Sequence, residues 1–362
     1  MENVRVELGE RSYSICIGGD LLGKVGNWLK ELGLSNAGII VSDETVADLY
    51  GAPVLSSLKA AGFKVGLHTL PVGEEYKNLE QTSKIYDEML RLGLERDSFI
   101  LSLGGGVVGD TAGFAAATYM RGINFIQVPT TLLSQVDASV GGKVAVNLPQ
   151  GKNLVGAFHQ PRGVLIDPTV LKTLDERDVS SGFAEVIKHA IIRDEAYFSF
   201  LEQNSMKALS LDPSCLEKII QRSCEIKSDV VSHDERERGS RMILNFGHTI
   251  GHAVEAATSY RTYRHGEAVA IGMVYASAIA VKLDCFAEVG HHRIVELLKA
   301  FHLPVFMKRV RPDAITASLK KDKKVREGKV RFILPHRIGD VFPADEVTEK
   351  TIRTVIEQFS RR

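Results

Sequence analysis

The first half of the chain alternates short β-rich runs with helical stretches, and this alternation constrains the fold more than any other feature. AGIIVSD (37–43) precedes one helical segment, KVGLHTLP (64–71) precedes the helix near NLEQTSKIYDEMLRLG, SFILSLGGG (98–106) precedes a third and INFIQVPTT (123–131) a fourth. That order predicts an α/β unit: a parallel sheet with helices on its faces, whose ligands bind beyond the carboxyl ends of the strands. GVLIDP (163–168) reads as the last strand. After about Leu174 the texture changes to long amphipathic segments broken near Asp212-Pro213, Glu237–Gly239, Ser259–Arg264 and Leu303-Pro304, which predicts a mostly helical second half. One exception is KVREGKVRFILPHRIGD, where two β-rich runs flank Glu327-Gly328 and predict a hairpin. The expected division is residues 1–174 and 175–362.

A chain of 362 residues is long enough for two domains and a self-sufficient core. Lys plus Arg equals Asp plus Glu at 45 each, so no global field draws the chain to nucleic acid or to a membrane surface, and any anion must be recognised locally. Cys16, Cys215, Cys224 and Cys285 show no C-x-x-C pairing and form no disulfide framework, which fits a reducing cytoplasm. The N-terminus is charged and strand-like rather than a signal peptide. The longest apolar run, Ala268–Val281, is too short to span a bilayer and reads as a buried helix.

LSLGGGVVGDTAGF contains G-x-G-x-x-G as Gly104, Gly106 and Gly109, after a strand and before a helix, where backbone N–H groups could hold a pyrophosphate. The motif alone is weak, because such a loop normally follows the first strand; a tight turn packed through glycine is the alternative. A carboxylate for a ribose is better sought at Asp43, which ends AGIIVSD. Further on, SQVDASVGGKVAVNLPQGKNLVGAF sets Asp137, Lys143, Lys152 and Asn153 among small and apolar residues. Lysines on GGK and GKN turns suit phosphate or carboxylate, although a solvated loop accounts for them equally well.

RMILNFGHTIGHAVE places His248 and His252 four apart. A zinc peptidase would carry its general-base glutamate directly after the first histidine, where this chain has Thr249. At helical spacing Arg241, Asn245, His248, His252 and Glu255 share an arc of about 80 degrees, opposite an apolar face. A solvated polar face is the plain alternative, but it would favour Glu and Lys over Asn and paired His. Glu185 and Lys188 share a face of GFAEVIKHAII, and His265 begins the apolar helix HGEAVAIGM. Glu185, His248 and His265 would together make a carboxylate and two imidazoles, with positions left open as in a catalytic zinc site.

The stretches GGGVVGDTAGF, YMRGINFIQVPTTLLSQVDASVGGK, GKNLVGAFHQP, FAEVIKHA, LNFGHTIGHAVE, HGEAVAIGM and the late DKK together resemble the 3-dehydroquinate synthase family, one of the sugar phosphate cyclases, nearly end to end. The resemblance implies a Rossmann-like NAD domain followed by a mainly helical metal and substrate domain. It implies Zn2+ or Co2+ on Glu185, His248 and His265, so that His252 is no ligand and faces the substrate. Lys143, Asn153, Asn245 and His252 would surround the substrate phosphate, with Arg121 reaching the neighbouring subunit's site in a homodimer. Lys227 and Arg241 would hold a carboxylate, Lys188 and Asp137 would line the pocket, and Lys323 or Lys324 would close it. For NAD the resemblance points to Asp43, Glu74, Lys77, Gly105, Gly106, Val107, Asp110, Thr130, Thr131, Lys143 and Lys152, with Thr169, Leu171, Lys172 and Thr173 beside the nicotinamide half.

The implied substrate is 3-deoxy-D-arabino-heptulosonate 7-phosphate. The implied reaction is transient oxidation at C5, phosphate elimination, re-reduction, ring opening and aldol closure, as part of aromatic amino acid biosynthesis. The nearest rivals are a sister cyclase such as 2-deoxy-scyllo-inosose synthase, for whose substrate Lys227 and Arg241 would lack an anion, and a metal-dependent polyol dehydrogenase, which would consume NAD.

Overall fold

A computed structural model describes residues 2–307, 312–321, 325–326, 329–345 and 347–360. The chain divides into two compact units, Met1–Leu174 with Leu216–Arg236, and Asp175–Cys215 with Glu237–Arg362.

The first unit is built on a seven-stranded sheet. Its strands are β1 (Glu2–Val6), β2 (Tyr13–Ile17), β3 (Ala37–Asp43), β4 (Lys64–Leu70), β5 (Phe99–Gly104) and β6 (Asn124–Pro129); after the separate hairpin of β7 (Lys143–Leu148) and β8 (Gly151–Phe158), β9 (Gly163–Ile166) completes it. The order is β1-β2-β9-β6-β5-β3-β4, parallel throughout except that β1 runs antiparallel to β2. GVLIDP therefore supplies the last strand in sequence but an interior one in space.

β5 and β9 are buried at every residue, as expected where helices cover both faces of a parallel sheet. Side chains alternate between two cores. Ile40, Leu101 and Ile126 meet Trp28, Val54 and Leu58 on one face, while Ile39, Val41, Ile100 and Phe125 meet Ile85, Met89 and Ala112 on the other. The chain reverses its direction of travel across the sheet between β3 and β5, so a switch point lies at their carboxyl ends, Asp43 and Gly104.

A single cut at 174/175 misses one segment. Leu216–Arg236 belongs with the first unit because it bonds there: Ser228 donates to the Arg5 carbonyl at 2.6 Å, Lys227 to the Asp137 carbonyl at 2.5 Å, and Arg11 pairs with Glu235 at 2.8 Å.

The second unit is mainly helical. The helix His265–Lys282 exposes almost none of the stretch Gly266–Ala280, and its neighbours include Glu176–Arg193 and His248–Ala257. Glycine permits the closest approaches. A Cβ at Gly272 would lie 1.8 Å from the Gly247 carbonyl oxygen, and one at Gly266 would lie 1.9 Å from that of Ser181. The β signal around Glu327-Gly328 resolves into two antiparallel pairs, β10 (Val325–Arg326) with β11 (Lys329–Val330) and β12 (Phe332–Arg337) with β13 (Asp340–Ala344).

Candidate functional site

In the second unit, three helix segments bring one carboxylate and two imidazoles together. The helix Glu176–Arg193 starts at Asp175, whose side chain accepts the Arg177 N–H at 2.9 Å, and acidic residues fill its first turn. Two and a half turns on, this helix carries Glu185 into the interior at 0% exposure, with Lys188 paired to it one turn later. A buried carboxylate demands such cations. His265 opens its helix next to a capping box in which Glu267 accepts the Arg264 N–H at 2.8 Å. Glu267 also receives the Arg177 guanidinium at 2.6 and 2.8 Å, which ties the starts of the Glu185 and His265 helices together.

The stretch 241–257 is not one continuous helix. Ser240–Asn245 is a 3-10 turn, and the helix proper runs His248–Ala257 after Gly247, whose φ of +79° breaks the path. Gly247 is needed there, since a Cβ would meet the Val269 carbonyl oxygen at 2.8 Å. Arg241 and Asn245 therefore do not share a helical face with the histidines. Arg241 is buried at 2% exposure, and the Asn245 amide donates to Glu237 at 2.8 Å.

His248 Nε2 and His265 Nε2 lie 3.7 and 3.5 Å from the same oxygen of Glu185, and the three ligand atoms fall within 4.8 Å of one another. Four ligands about 2.1 Å from a tetrahedral ion stand about 3.4 Å apart, so this donor set fits Zn2+ or Co2+. The remaining ring nitrogens are engaged as they are in metal-bound histidines: His248 Nδ1 faces the Phe246 carbonyl at 3.1 Å and His265 Nδ1 faces Glu255 at 3.5 Å. Burial holds the His248 imidazole well below its ordinary pKa, with Glu185 opposing. Burial also pulls on His265, but Glu185 and Glu255 outweigh it and push that imidazole up to about 10.

His252, Glu255 and His265 form a second grouping within 4.8 Å. One ring cannot turn both nitrogens to one ion, and the fully buried charge of Glu185 favours the first set. His252 stands beside that set, its ring 5.3 Å from His248 and 6.1 Å from His265. Thr249, in the place of a peptidase glutamate, is 5% exposed and bonds the Arg331 carbonyl at 3.2 Å, leaving no general base there. Glu255 lay on the polar stripe without an assigned role; its 6% exposure gives a carboxylate that must have partners.

In the first unit, Gly104, Gly105 and Gly106 join β5 to the helix Gly106–Thr118, whose N-cap Gly105 makes no side-chain capping bond and whose first turn carries no acid. The amides of that turn have no intrahelical acceptor, which fits a pyrophosphate. A Cβ on Gly105 would come within 3.0 Å of the Thr131 methyl. Val107 and Thr130 flank this turn, the Thr130 N–H donating to the Gly104 carbonyl at 3.0 Å. Asp43 caps the turn after β3 by accepting the Val46 N–H at 2.9 Å.

Lys77 is 4% exposed and donates to Asp110 at 2.5 Å and to Asn153 at 2.7 Å. Burial pushes the Asp110 carboxyl up, with Lys77 opposing. Lys152 reaches Glu74 at 3.6 Å. The lysine segment is thus no solvated loop: Lys143 opens β7, and Lys152 and Asn153 lie on β8. Glycine and lysine masked a strand pattern. Thr169 bonds Asp167 at 2.6 Å, Leu171 is buried, Lys172 is exposed and Thr173 meets the Tyr50 hydroxyl at 2.7 Å. Asp137 pairs with Lys227 at 2.5 Å. Arg121 is exposed at a φ of +72°. Lys323 and Lys324 lie outside the described residues.

Residues 67–181 match the model of the 3-dehydroquinate synthase N-terminal domain, and residues 182–325 match that of the C-terminal domain. The 3-dehydroquinate synthase of Picosynechococcus sp. is 52% identical over 355 residues, which cover 97% of each chain. The chain belongs to the 3-dehydroquinate synthase family. Members of the wider cyclase group share its fold. A 2-epi-5-epi-valiolone synthase from Streptomyces hygroscopicus, solved with NAD+ and Zn2+ bound, superposes with a TM-score of 0.89 at 31% identity, covering 98% of both chains. A 2-deoxy-scyllo-inosose synthase complexed with carbaglucose-6-phosphate, NAD+ and Co2+ gives 0.90 at 30% identity, covering 99% of this chain and all of that one. The α/β sheet unit and helical metal unit of this family member follow the same plan.

Proposed function

We propose that this chain is a 3-dehydroquinate synthase: an enzyme that converts 3-deoxy-D-arabino-heptulosonate 7-phosphate to 3-dehydroquinate and phosphate. The observation that carries the reading is the contrast in likeness, 52% identity over nearly the whole chain to a curated member against 30 to 31% to the sister cyclases. A divalent metal on Glu185, His248 and His265 would supply Lewis acidity at the substrate alcohol, and NAD+ would supply a hydride acceptor regenerated in each cycle.

The chain's own residues do the rest. Glu185, His248 and His265 leave open positions for substrate oxygens, and Lys188 balances the carboxylate charge. His252 serves as the imidazole that moves a proton near the reacting carbons. Lys227, which bonds Asp137, and Arg241 are buried at 6% and 2% exposure and would supply the cations that meet the substrate carboxylate. Lys143, Asn153 and Asn245 take the phosphate, with Arg121 contributing to the neighbouring subunit of a homodimer. Asp137, Lys323 and Lys324 complete the substrate contacts. Asp43, Glu74, Lys77, Gly105, Gly106, Val107, Asp110, Thr130, Thr131, Lys152 and the stretch Thr169–Thr173 take the nucleotide. Among the described residues no helix is long and apolar enough to cross a membrane.

Phosphate release from the heptulosonate phosphate by metal-loaded protein with substoichiometric NAD+, followed with absorbance at 340 nm, tests this reading. Many phosphates per NAD+ without lasting NADH is the expected result. Lasting NADH without phosphate would make the protein a dehydrogenase, and neither signal would point to a sugar phosphate lacking the carboxylate.

A further inference from the structure

The ladder between β7 and β8 is interrupted at one place. Pairing runs from Lys143↔Phe158 to Val146↔Val155 and resumes at Leu148↔Gly151. Between those pairs β7 contributes Asn147 alone, while β8 contributes Lys152, Asn153 and Leu154. Bulges of this kind re-aim side chains and gather beside functional sites. The strand pays for its bulge with a left-handed residue, Asn153 at a φ of +54°.

Asn147 holds that bulge in place. Its Oδ1 accepts the Asn153 N–H at 2.9 Å, standing in for the missing ladder acceptor. Its Nδ2 donates to Glu74 Oε1 at 2.8 Å and reaches the Glu74 carbonyl at 3.3 Å. Its own N–H donates to the Lys77 carbonyl at 2.7 Å, and Lys77 Nζ closes the ring by donating to Asn153 Oδ1 at 2.7 Å. One carboxamide therefore ties the segment Glu74–Lys77 to the bulge carrying Lys152 and Asn153. No other side chain of this size both accepts and donates at those positions: aspartate lacks the donors and would face Glu74 with like charge, and leucine lacks both.

We infer that Asn147 is a positioning residue for nucleotide binding, which fixes Glu74, Lys152 and Asn153 in one arrangement without touching the nucleotide itself. The inference rests on the proposed function, from which Glu74 and Lys152 take their nucleotide contacts and Asn153 its phosphate contact.

The test is a double-mutant cycle of Asn147→Asp and Glu74→Gln, with NAD+ affinity measured by titration calorimetry alongside metal content and thermal midpoint. Asn147→Asp is expected to raise the Kd for NAD+ about tenfold, the weight of one hydrogen bond to a charged group, with metal content unchanged. In the Glu74→Gln background the same substitution is expected to cost less than about threefold, because the opposing carboxylate is gone. Affinity within about twofold of the parent, or an equal cost in both backgrounds, overturns the inference. If Asn147→Asp loses stability, Asn147→Ala removes the donor and the acceptor without adding charge; weaker NAD+ binding supports the assignment and unchanged binding refutes it. A parent chain that does not bind NAD+ overturns the functional reading, and this inference with it.

Discussion

Replacing Gly266 with alanine should weaken the metal centre without altering a single ligand. The helices carrying Glu185 and His265 meet where a Cβ on Gly266 would lie 1.9 Å from the Ser181 carbonyl oxygen, and real Cβ contacts do not fall below 3.0 Å, so the backbones must separate by about 1.1 Å. Both elements are helical, so the shift passes to their side chains with little loss. The 3.5 Å separation of His265 Nε2 from Glu185 then opens to about 4.6 Å, beyond the roughly 3.4 Å that a tetrahedral ion accepts. Affinity for Zn2+ or Co2+, read by competition with a chromophoric chelator, should fall by about ten- to a hundredfold. The overpacking itself should cost about 1–3 kcal/mol of stability. Gly23→Ala, where nothing lies within 4 Å of the added methyl, should change neither quantity. Metal affinity unchanged in Gly266→Ala would refute the idea that this contact sets the ligand spacing.

Glu255→Gln removes the charge facing His265 Nδ1 and should lower metal affinity by about tenfold or more in the same chelator assay, with little change in the far-ultraviolet circular dichroism. Lys77→Met strands the Asp110 carboxylate and should cost about 3 kcal/mol in denaturant unfolding, most of it recovered when Asp110→Asn is added. Burial already raises the Asp110 carboxyl, so losing Lys77 raises it further. A group whose pKa rises on folding stabilises below its unfolded value and loses that contribution as pH climbs, so the Lys77→Met defect should be larger at pH 8 than at pH 5. Burial pushes the Cys224 thiol up to about 12, so brief treatment with iodoacetamide at pH 8 should spare Cys224 and label the more exposed Cys285, as read by peptide mass spectrometry.

The sheet was legible because β3, β5 and β6 are short, mainly apolar runs between helical stretches, a pattern that survives without knowledge of any partner strand. The β7–β8 hairpin was not: β8 opens with consecutive glycine, lysine and asparagine and carries a second glycine among its apolar residues, so it resembles a loop. At the metal group, spacing alone misleads. His248 and His252 are the obvious pair in the sequence, yet the imidazole that joins His248 on Glu185 comes from His265, on another helix. Residue chemistry suggested that set, a buried carboxylate with imidazoles from two other segments, and the likeness of whole motifs pointed to the same three residues. The helical arc through Arg241 failed at Gly247, where a local backbone requirement overrode periodicity. Glu255 is legible in the sequence only as part of the polar stripe, and Asn147 not at all, because their importance lies in what they hold, and partners distant in sequence leave no local signal.

The return of Leu216–Arg236 to the sheet unit has a consequence for synthesis. Ser228 bonds Arg5 across more than two hundred positions, and β2 pairs with β9 at the far end of the same unit. At 5–20 residues per second the ribosome needs on the order of tens of seconds to deliver that segment. Until it arrives, the amino-terminal segment of the nascent chain lacks the helix whose Ser228 and Ser232 bond Arg5 and Glu7, so the unit completes its contacts late in synthesis.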